Sequence, residues 1–253
     1  MSNEAKRHLY LGDCYIKEFE AEVTSADRKD EKSQFVVLNH TAFYPSSGGQ
    51  PHDTGTMTRV KDGSVFRVVF VGKFSGKTSH EVQAQAPEGS ELKQGDSVKC
   101  AVDWDRRYKL MRYHTAAHVL SEVIHKETGA RITGNQLDVD RGRIDLDLED
   151  FDRDAMQSYA EKANGIIGKE LPVRKFFMPR EEALKNPDML SLKNIMPPNL
   201  QTWRVVQIGD SPYFDIKACG GCHVDNTREI GSIEIIKAQN KGKSNRRIYY
   251  RLL

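Results

Sequence analysis

Two doublets of metal-ligand side chains, far apart along the chain, constrain what this sequence can fold into. The first is His114 and His118 in His-Thr-Ala-Ala-His; the second is Cys219 and His223 in Cys-Gly-Gly-Cys-His. Three imidazoles and a thiolate make a natural Zn²⁺ set. If they serve one ion, the fold has to bring the two stretches to a common point.

The spacing supports this. Residues 105–126 contain no Gly or Pro and read as a helix on which Leu110, His114, Ala117, His118, Ser121 and Ile124 fall near one face. Positions i and i+4 lie one above the other, so both histidines can point at one ion. Ala116 and Ala117 are small enough to admit close approach. Gly220 and Gly221 allow a tight turn with positive φ, which folds Cys219 and His223 back on themselves. Cys222 is a fifth donor, but adjacent residues chelate one ion poorly, so the expected pair is Cys219 with His223.

Each doublet also has a plainer reading. Helical histidine pairs are most often packing or surface residues, C-x-x-C-H is the attachment pattern of a c-type haem, and C-x-x-C can be a redox pair. The chain has four scattered cysteines and an N-terminus without an apolar signal core, which argues against haem and disulfide. The two doublets together favour a metal. A closed structural site and a catalytic site with an open position both fit the sequence; the small residues around the ligands favour an ion open to substrate.

At 253 residues the chain can hold one large domain or two modest ones. Charge is high, hydrophobic content moderate, and no apolar run approaches a membrane span, the profile expected of a soluble cytoplasmic protein. The net charge of +2 is too small to argue for RNA binding by itself. Two local basic groups say more. Lys237, Lys241, Lys243, Arg246, Arg247 and Arg251 gather near the C-terminus around Tyr249 and Tyr250, a mixture suited to phosphate and base contact or to a solvated hairpin. Arg106, Arg107, Lys109 and Arg112 open the histidine helix, where positions turned away from the metal are expected to be exposed.

The first hundred residues read as β. Gln34–Leu38, Ser64–Val71 and Ser97–Trp104 are short β-branched or aromatic runs between turn residues, with no long helix among them, as in a small barrel. Pro87–Ser90 and Gln94–Asp96 are expected loops. The boundary falls near Trp104, giving domains 1–103 and 104–253. In the second, Arg143–Leu148 alternates as a half-buried strand, and 153–169 reads as a helix capped by Asp150 or Asp152. Leu171–Met178 is a strand, Pro179 opens a short helix, and 186–199 is a Pro- and Asn-rich loop. Strands are expected again over 203–208, 232–236 and 247–252. The fold class is α+β: an N-terminal small β-barrel followed by a domain with an antiparallel sheet and helices.

The His-Thr-Ala-Ala-His-Val-Leu run at 114–120 resembles the helix of the alanyl-tRNA synthetase editing domain and of its free-standing relatives, the AlaX proteins. Ala218–Val224, Thr227, Glu229–Gly231 and Arg246–Ile248 resemble their C-terminal run. Thr41–Gly55, with Gly48-Gly49-Gln50 inside it, resembles the glycine-rich segment of the medium-sized AlaX type. The likeness covers nearly the whole chain in the family's order. Two departures stand out: Cys222 where the family often has Thr, and Ser47 where it often has a third glycine.

The resemblance implies a β-barrel before the editing fold and an aminoacyl-tRNA hydrolase acting on tRNA(Ala) mischarged with serine or glycine. It implies Zn²⁺ on His114, His118, Cys219 and His223 as the catalytic centre. Gly48, Gly49 and Gln50 would meet the adenosine end, and Asn135 and Gln136 would contact substrate. Thr41 or Thr115 would read the serine hydroxyl. Two alternatives stand beside this: zinc-dependent editing of another aminoacyl-tRNA, such as threonyl, or an RNA-binding module with structural zinc. No nucleotide-binding motif is present, so charging of tRNA is not expected.

Overall fold

Alternating apolar residues in short runs, broken by turn residues, produce strands that must each bury one face. In the computed structural model, which describes residues 3–86, 91–148, 153–190, 200–242 and 245–253, they do so in two compact units. The first unit comprises Met1–Ser47 and Pro51–Tyr108; the second comprises Gly48–Gln50 and Lys109–Leu253.

In the first unit a short helix α1 (Asn3–Arg7) precedes six strands: β1 (Glu18–Arg28), β2 (Ser33–Leu38), β3 (Gly55–Arg59), β4 (Val65–Phe74), β5 (Lys77–Ala86) and β6 (Ser97–Val102). They close into a barrel in the order β1-β2-β5-β4-β3-β6, with β6 pairing antiparallel to β1. Closure leaves no free sheet edge. Val23, Val36, Met57, Phe66, Val68, Val71, Val82 and Val98 fill the interior, each almost wholly buried. Three of these strands coincide with the runs read from sequence. β1, β3 and β5 do not, because polar side chains dominate them and β5 turns buried Thr78 and His80 inward beside Val82.

Helix α2 (Trp104–Thr128) follows. Its second-unit portion is buried nearly all round from Leu110 to Ile124, with Leu110, Met111, Leu120 and Ile124 fully enclosed. Such a helix is a core element rather than an amphipathic surface one, and each of those side chains contributes about 1.5–3 kcal/mol through burial. Tyr250 Oη donates to the Tyr113 carbonyl at 2.8 Å and ties the last strand to this helix.

The rest of the second unit contains β7 (Ile132–Leu137), β8 (Gly142–Leu146), α3 (Arg153–Ile167), β9 (Val173–Pro179), α4 (Arg180–Ala183), β10 (Thr202–Ile208), β11 (Asp215–Ala218), β12 (Ile233–Asn240) and β13 (Arg246–Leu252). The antiparallel pairing and helices expected from sequence are present, with the strands arranged as two antiparallel sheets, β11-β10-β9 and β12-β13-β8-β7. Thr133–Gln136, also readable as a turn, lies in β7. The expected caps Asp150 and Asp152, the loop at 87–90, Lys243 and most of the Pro- and Asn-rich loop lie outside the described residues; Pro187–Leu190 at the start of that loop forms a 3-10 turn. No described helix is long and apolar enough to cross a membrane.

Candidate metal centre

The i,i+4 spacing on α2 places the rings of His114 and His118 with centroids 5.5 Å apart. The Cys-Gly-Gly-Cys-His segment leaves β11 and brings His223 to 4.3 Å from His114 and 4.7 Å from His118, centroid to centroid. His114, His118, Cys219 and His223 offer one ligand atom each, all within 4.8 Å of one another. Cys219 Sγ lies 3.6 Å from His114 Nε2 and 3.3 Å from His223 Nε2. A tetrahedral zinc with bonds of about 2.0–2.3 Å separates its ligand atoms by roughly 3.3–3.7 Å; the two thiol–imidazole separations match that range, and the donor set has the chemistry to hold such an ion. The Cys222 thiol is not part of the cluster.

Each imidazole is held from behind. His114 Nδ1–H donates to Gln50 Oε1 at 2.7 Å, an oxygen identified by the Cys222 backbone N–H that also donates to it at 3.1 Å. His118 Nδ1–H donates to Asp215 Oδ2 at 2.8 Å. Thr115 Oγ1 donates to the Met111 carbonyl, so it accepts from His223 Nδ1–H at 3.2 Å and from the Val224 N–H at 3.3 Å. Each ring therefore turns its Nδ1–H to an outer partner and its Nε2 toward the cluster. Outer partners of this kind fix the tautomer and orientation of metal-binding histidines.

Burial opposes a thiolate at Cys219, but His114 and His223 beside it outweigh burial and hold the thiol well below its usual range. Burial, reinforced by His114, keeps His223 neutral. Burial also disfavours charge on His118, yet its hydrogen bonds to Asp215 and Cys219 prevail and raise it to about 9, so this ring also holds a proton on Nε2, which it gives up when a metal binds. A thiolate among imidazoles is the form that takes up a divalent ion.

Of the glycine-rich segment, Gly48–Gln50 belong to this unit. Gly49, at φ +82°, sits so close to β7 that an added Cβ would fall 1.6 Å from Asn135 Oδ1, and its carbonyl accepts from the Leu137 N–H at 2.8 Å. A Cβ on Gly221 would fall 2.0 Å from His114 Cε1. These two glycines allow Gln50 and His114 to meet. Gln50 itself is 1% exposed, and its Nε2 has no hydrogen-bond partner among the described residues.

Residues 12–106 match the family model for class II (A) tRNA synthetases, and residues 203–249 match that of the threonyl and alanyl tRNA synthetase second additional domain. A Methanosarcina mazei protein named alanyl-tRNA editing protein AlaX-M is 49% identical over 247 residues, covering 97% of this chain and 96% of the relative. The AlaX-M protein of Saccharolobus solfataricus is 37% identical over 242 residues, covering 96% and 97%. This chain belongs to the AlaX-M family. An alanine–tRNA ligase of Pyrobaculum calidifontis is 36% identical over 238 residues, which are 92% of this chain but 25% of the ligase. AlaX-M chains thus align end to end with this one, whereas in the ligase the same stretch is part of a longer protein.

The remaining site candidates are placed as follows. Thr115 is buried, with its hydroxyl engaged by Met111, Val224 and His223. Asn135 is half-buried and Gln136 exposed on β7. Thr41 belongs to the barrel unit, where its hydroxyl accepts from the Phe43 N–H and bonds His80 Nε2 at 2.9 Å. The basic groups depart from expectation. Arg107 is fully buried and donates to Asp53 and to the carbonyls of Cys14 and Ala42; Arg112 donates to the Ile230 carbonyl. Near the C-terminus Arg246 is buried, Arg247 binds Asp145 in a fork at 2.7 and 2.9 Å, and Tyr250 is in the core; of the described basic members, Lys237, Lys241 and Arg251 are exposed, and Arg251 pairs with Glu234. Sequence reasoning missed Asp215, Lys217 and Glu122, which stand behind His118. The only sequence signal for them is a charged alternation, Asp-Ile-Lys-Ala, that resembles a surface strand and is wholly buried.

Proposed function

We propose that this chain is an aminoacyl-tRNA hydrolase that cleaves the ester joining a wrong amino acid to tRNA(Ala), chiefly serine and secondarily glycine, with zinc held by His114, His118, Cys219 and His223. The observation that carries the reading is the convergence of three Nε2 atoms and a thiolate, each imidazole held by an outer partner, in a member of a family named for alanyl-tRNA editing. An alanine pocket rejects serine weakly, because the added hydroxyl is small, and glycine is smaller still; a second, hydrolytic site supplies the missing discrimination.

Bound by these four residues, Zn²⁺ would supply Lewis acidity toward the ester carbonyl or a lowered pKa to a water. The chain's own groups do the rest. Asp215, Gln50 and Thr115 hold the ligand rings. Gln50 Nε2, buried and unpartnered, is the donor available to the substrate. Gly48 and Gly49 carry no side chain that would obstruct the adenosine end, and Asn135 and Gln136 offer amide contacts from β7. Of the two threonines suited to reading a serine hydroxyl, Thr115 is committed to His223, and the Thr41 hydroxyl is held by Phe43 and His80 within the barrel unit. Water and ester enter; a free amino acid and a tRNA hydroxyl leave, with no nucleotide consumed. Such a substrate would place the protein in the cytoplasm.

The test is deacylation of Ser-tRNA(Ala), Gly-tRNA(Ala) and Ala-tRNA(Ala) by the intact protein and by His118→Ala. Rapid loss of the seryl ester, sparing the alanyl ester and abolished by the substitution, supports the reading. No loss of any ester from protein shown to hold zinc would overturn it in favour of an RNA-binding module.

A further inference from the structure

Behind one ligand lies a buried chain of charged contacts. His118 Nδ1–H donates to Asp215 Oδ2 at 2.8 Å, the other Asp215 oxygen accepts from Lys217 Nζ, and Lys217 Nζ also donates to Glu122 Oε2 at 2.6 Å. His118, Asp215, Lys217 and Glu122 are 7%, 2%, 5% and 8% exposed. The arrangement follows from two periodicities. His118 and Glu122 are i and i+4 on α2, and Asp215 and Lys217 are i and i+2 on β11, so a helix face and a strand face each contribute two residues.

Stability alone gives no reason for this lysine. An apolar side chain of similar length would pack at such a position at least as favourably as a buried ion pair. Orientation does give one. A carboxylate with one bound oxygen is free to turn about its last torsion; with the second oxygen captured, its plane is set.

We propose that Lys217 is a positioning residue for the metal ligand His118: by binding one Asp215 oxygen, it directs the other at His118 Nδ1–H and so aims Nε2 at the cluster. Glu122 anchors the lysine from the far side, and Lys126 in turn stands 3.4 Å from Glu122 and balances its charge at the surface. The inference rests on the zinc reading of the four ligands.

The experiment measures Zn²⁺ affinity by chelator competition and the visible absorption of the Co²⁺-loaded protein, with thermal melting as the check on folding. Lys217→Met is expected to weaken Zn²⁺ binding about 10–100-fold, the usual effect of losing an outer partner, and to shift the Co²⁺ bands. In an Asp215→Ala background, where no carboxylate is left to orient, Lys217→Met should add nothing. Because Lys217→Met alone leaves two buried carboxylates without their cation, Lys217→Met/Glu122→Met, which removes one acid and one base, carries the same expectation in a fold that keeps its charge balance. Unchanged affinity and Co²⁺ bands in that folded double variant, or full additivity with Asp215→Ala, would overturn the proposal. A wild-type protein that binds no metal would instead overturn the zinc reading beneath it.

Discussion

Gln50 Oε1 lies 2.7 Å from Nδ1 of His114 and also receives the Cys222 N–H, so one side chain from the glycine-rich segment fixes both a ligand ring on α2 and the turn that carries Cys219 and His223. Its two amide atoms have separable roles. Gln50→Leu removes the acceptor and is expected to weaken metal binding about 10–100-fold. Gln50→Glu keeps an acceptor and loses the unpartnered Nε2 donor. That variant should hold metal nearly as well as wild type while kcat/KM on Ser-tRNA(Ala) falls about tenfold, the value of one substrate hydrogen bond. Equal loss of metal in both variants would remove the donor from the mechanism.

Gly221 and Gly220 form a natural pair of test and control. A methyl group on Gly221 would meet His114 Cε1 at 2.0 Å and Nδ1 at 2.3 Å, whereas one on Gly220 meets nothing within 4 Å. Gly221→Ala should displace the ring, weaken metal binding about tenfold or more, and cost about 1–3 kcal/mol through overpacking. Gly220→Ala should match wild type in metal content and melting temperature.

What the sequence displayed and what it concealed follow from the range of each interaction. Helix α2 and its ligand pair were legible because i,i+4 spacing is local. So were the barrel strands β2, β4 and β6, whose inward residues are apolar. Strand β11 was hidden because Asp215 and Lys217 are charged and yet buried; their partners lie on α2, close in space and remote in sequence. The second sheet was hidden with it. Arg107 illustrates the same difficulty in reverse. A basic side chain at the start of a helix suggests solvent, but Asp53 and two carbonyls are close enough to take it inside.

That burial makes Arg107 a stability residue. Its guanidinium is fully enclosed and neutralises Asp53, itself fully buried. Arg107→Leu strands the carboxylate and is expected to cost about 3–5 kcal/mol. Lys109→Ala, at an exposed position two residues on, should change stability by about 0.5 kcal/mol or less. Urea unfolding of the two variants checks the contrast; similar small effects in both would show that Asp53 finds another partner.

His80 gives the barrel a pH dependence. Its Nδ1–H donates to the Val36 carbonyl and its Nε2 bonds the Thr41 hydroxyl, an arrangement for the neutral ring, and burial pushes it down to about 4. Between its folded value and the unfolded value of about 6.5 the unfolded chain binds more protons, so stability rises with pH across that window and is lost as pH falls through it. The loss attributable to His80 is about 2 kcal/mol at pH 5 relative to pH 7.5. Urea unfolding at the two pH values measures it. His80→Gln should remove that share of the acid sensitivity, and an undiminished slope would assign it to other groups.

Metal removal separates a catalytic ion from a structural one. The second unit has supports that do not involve the four ligands: the enclosed Leu110, Met111, Leu120 and Ile124 on α2, the Tyr250–Tyr113 bond, and the Arg247–Asp145 fork. A small module folded by its zinc loses that fold on chelation; here the core is large enough to survive. Chelation is therefore expected to abolish deacylation of Ser-tRNA(Ala), leave the far-ultraviolet circular dichroism close to that of the loaded protein, and lower the melting temperature only modestly. Activity should return on adding Zn²⁺ without a refolding step. Cooperative unfolding on chelation at room temperature would show that the ion holds the unit together, and the structural-zinc reading would then replace the catalytic one.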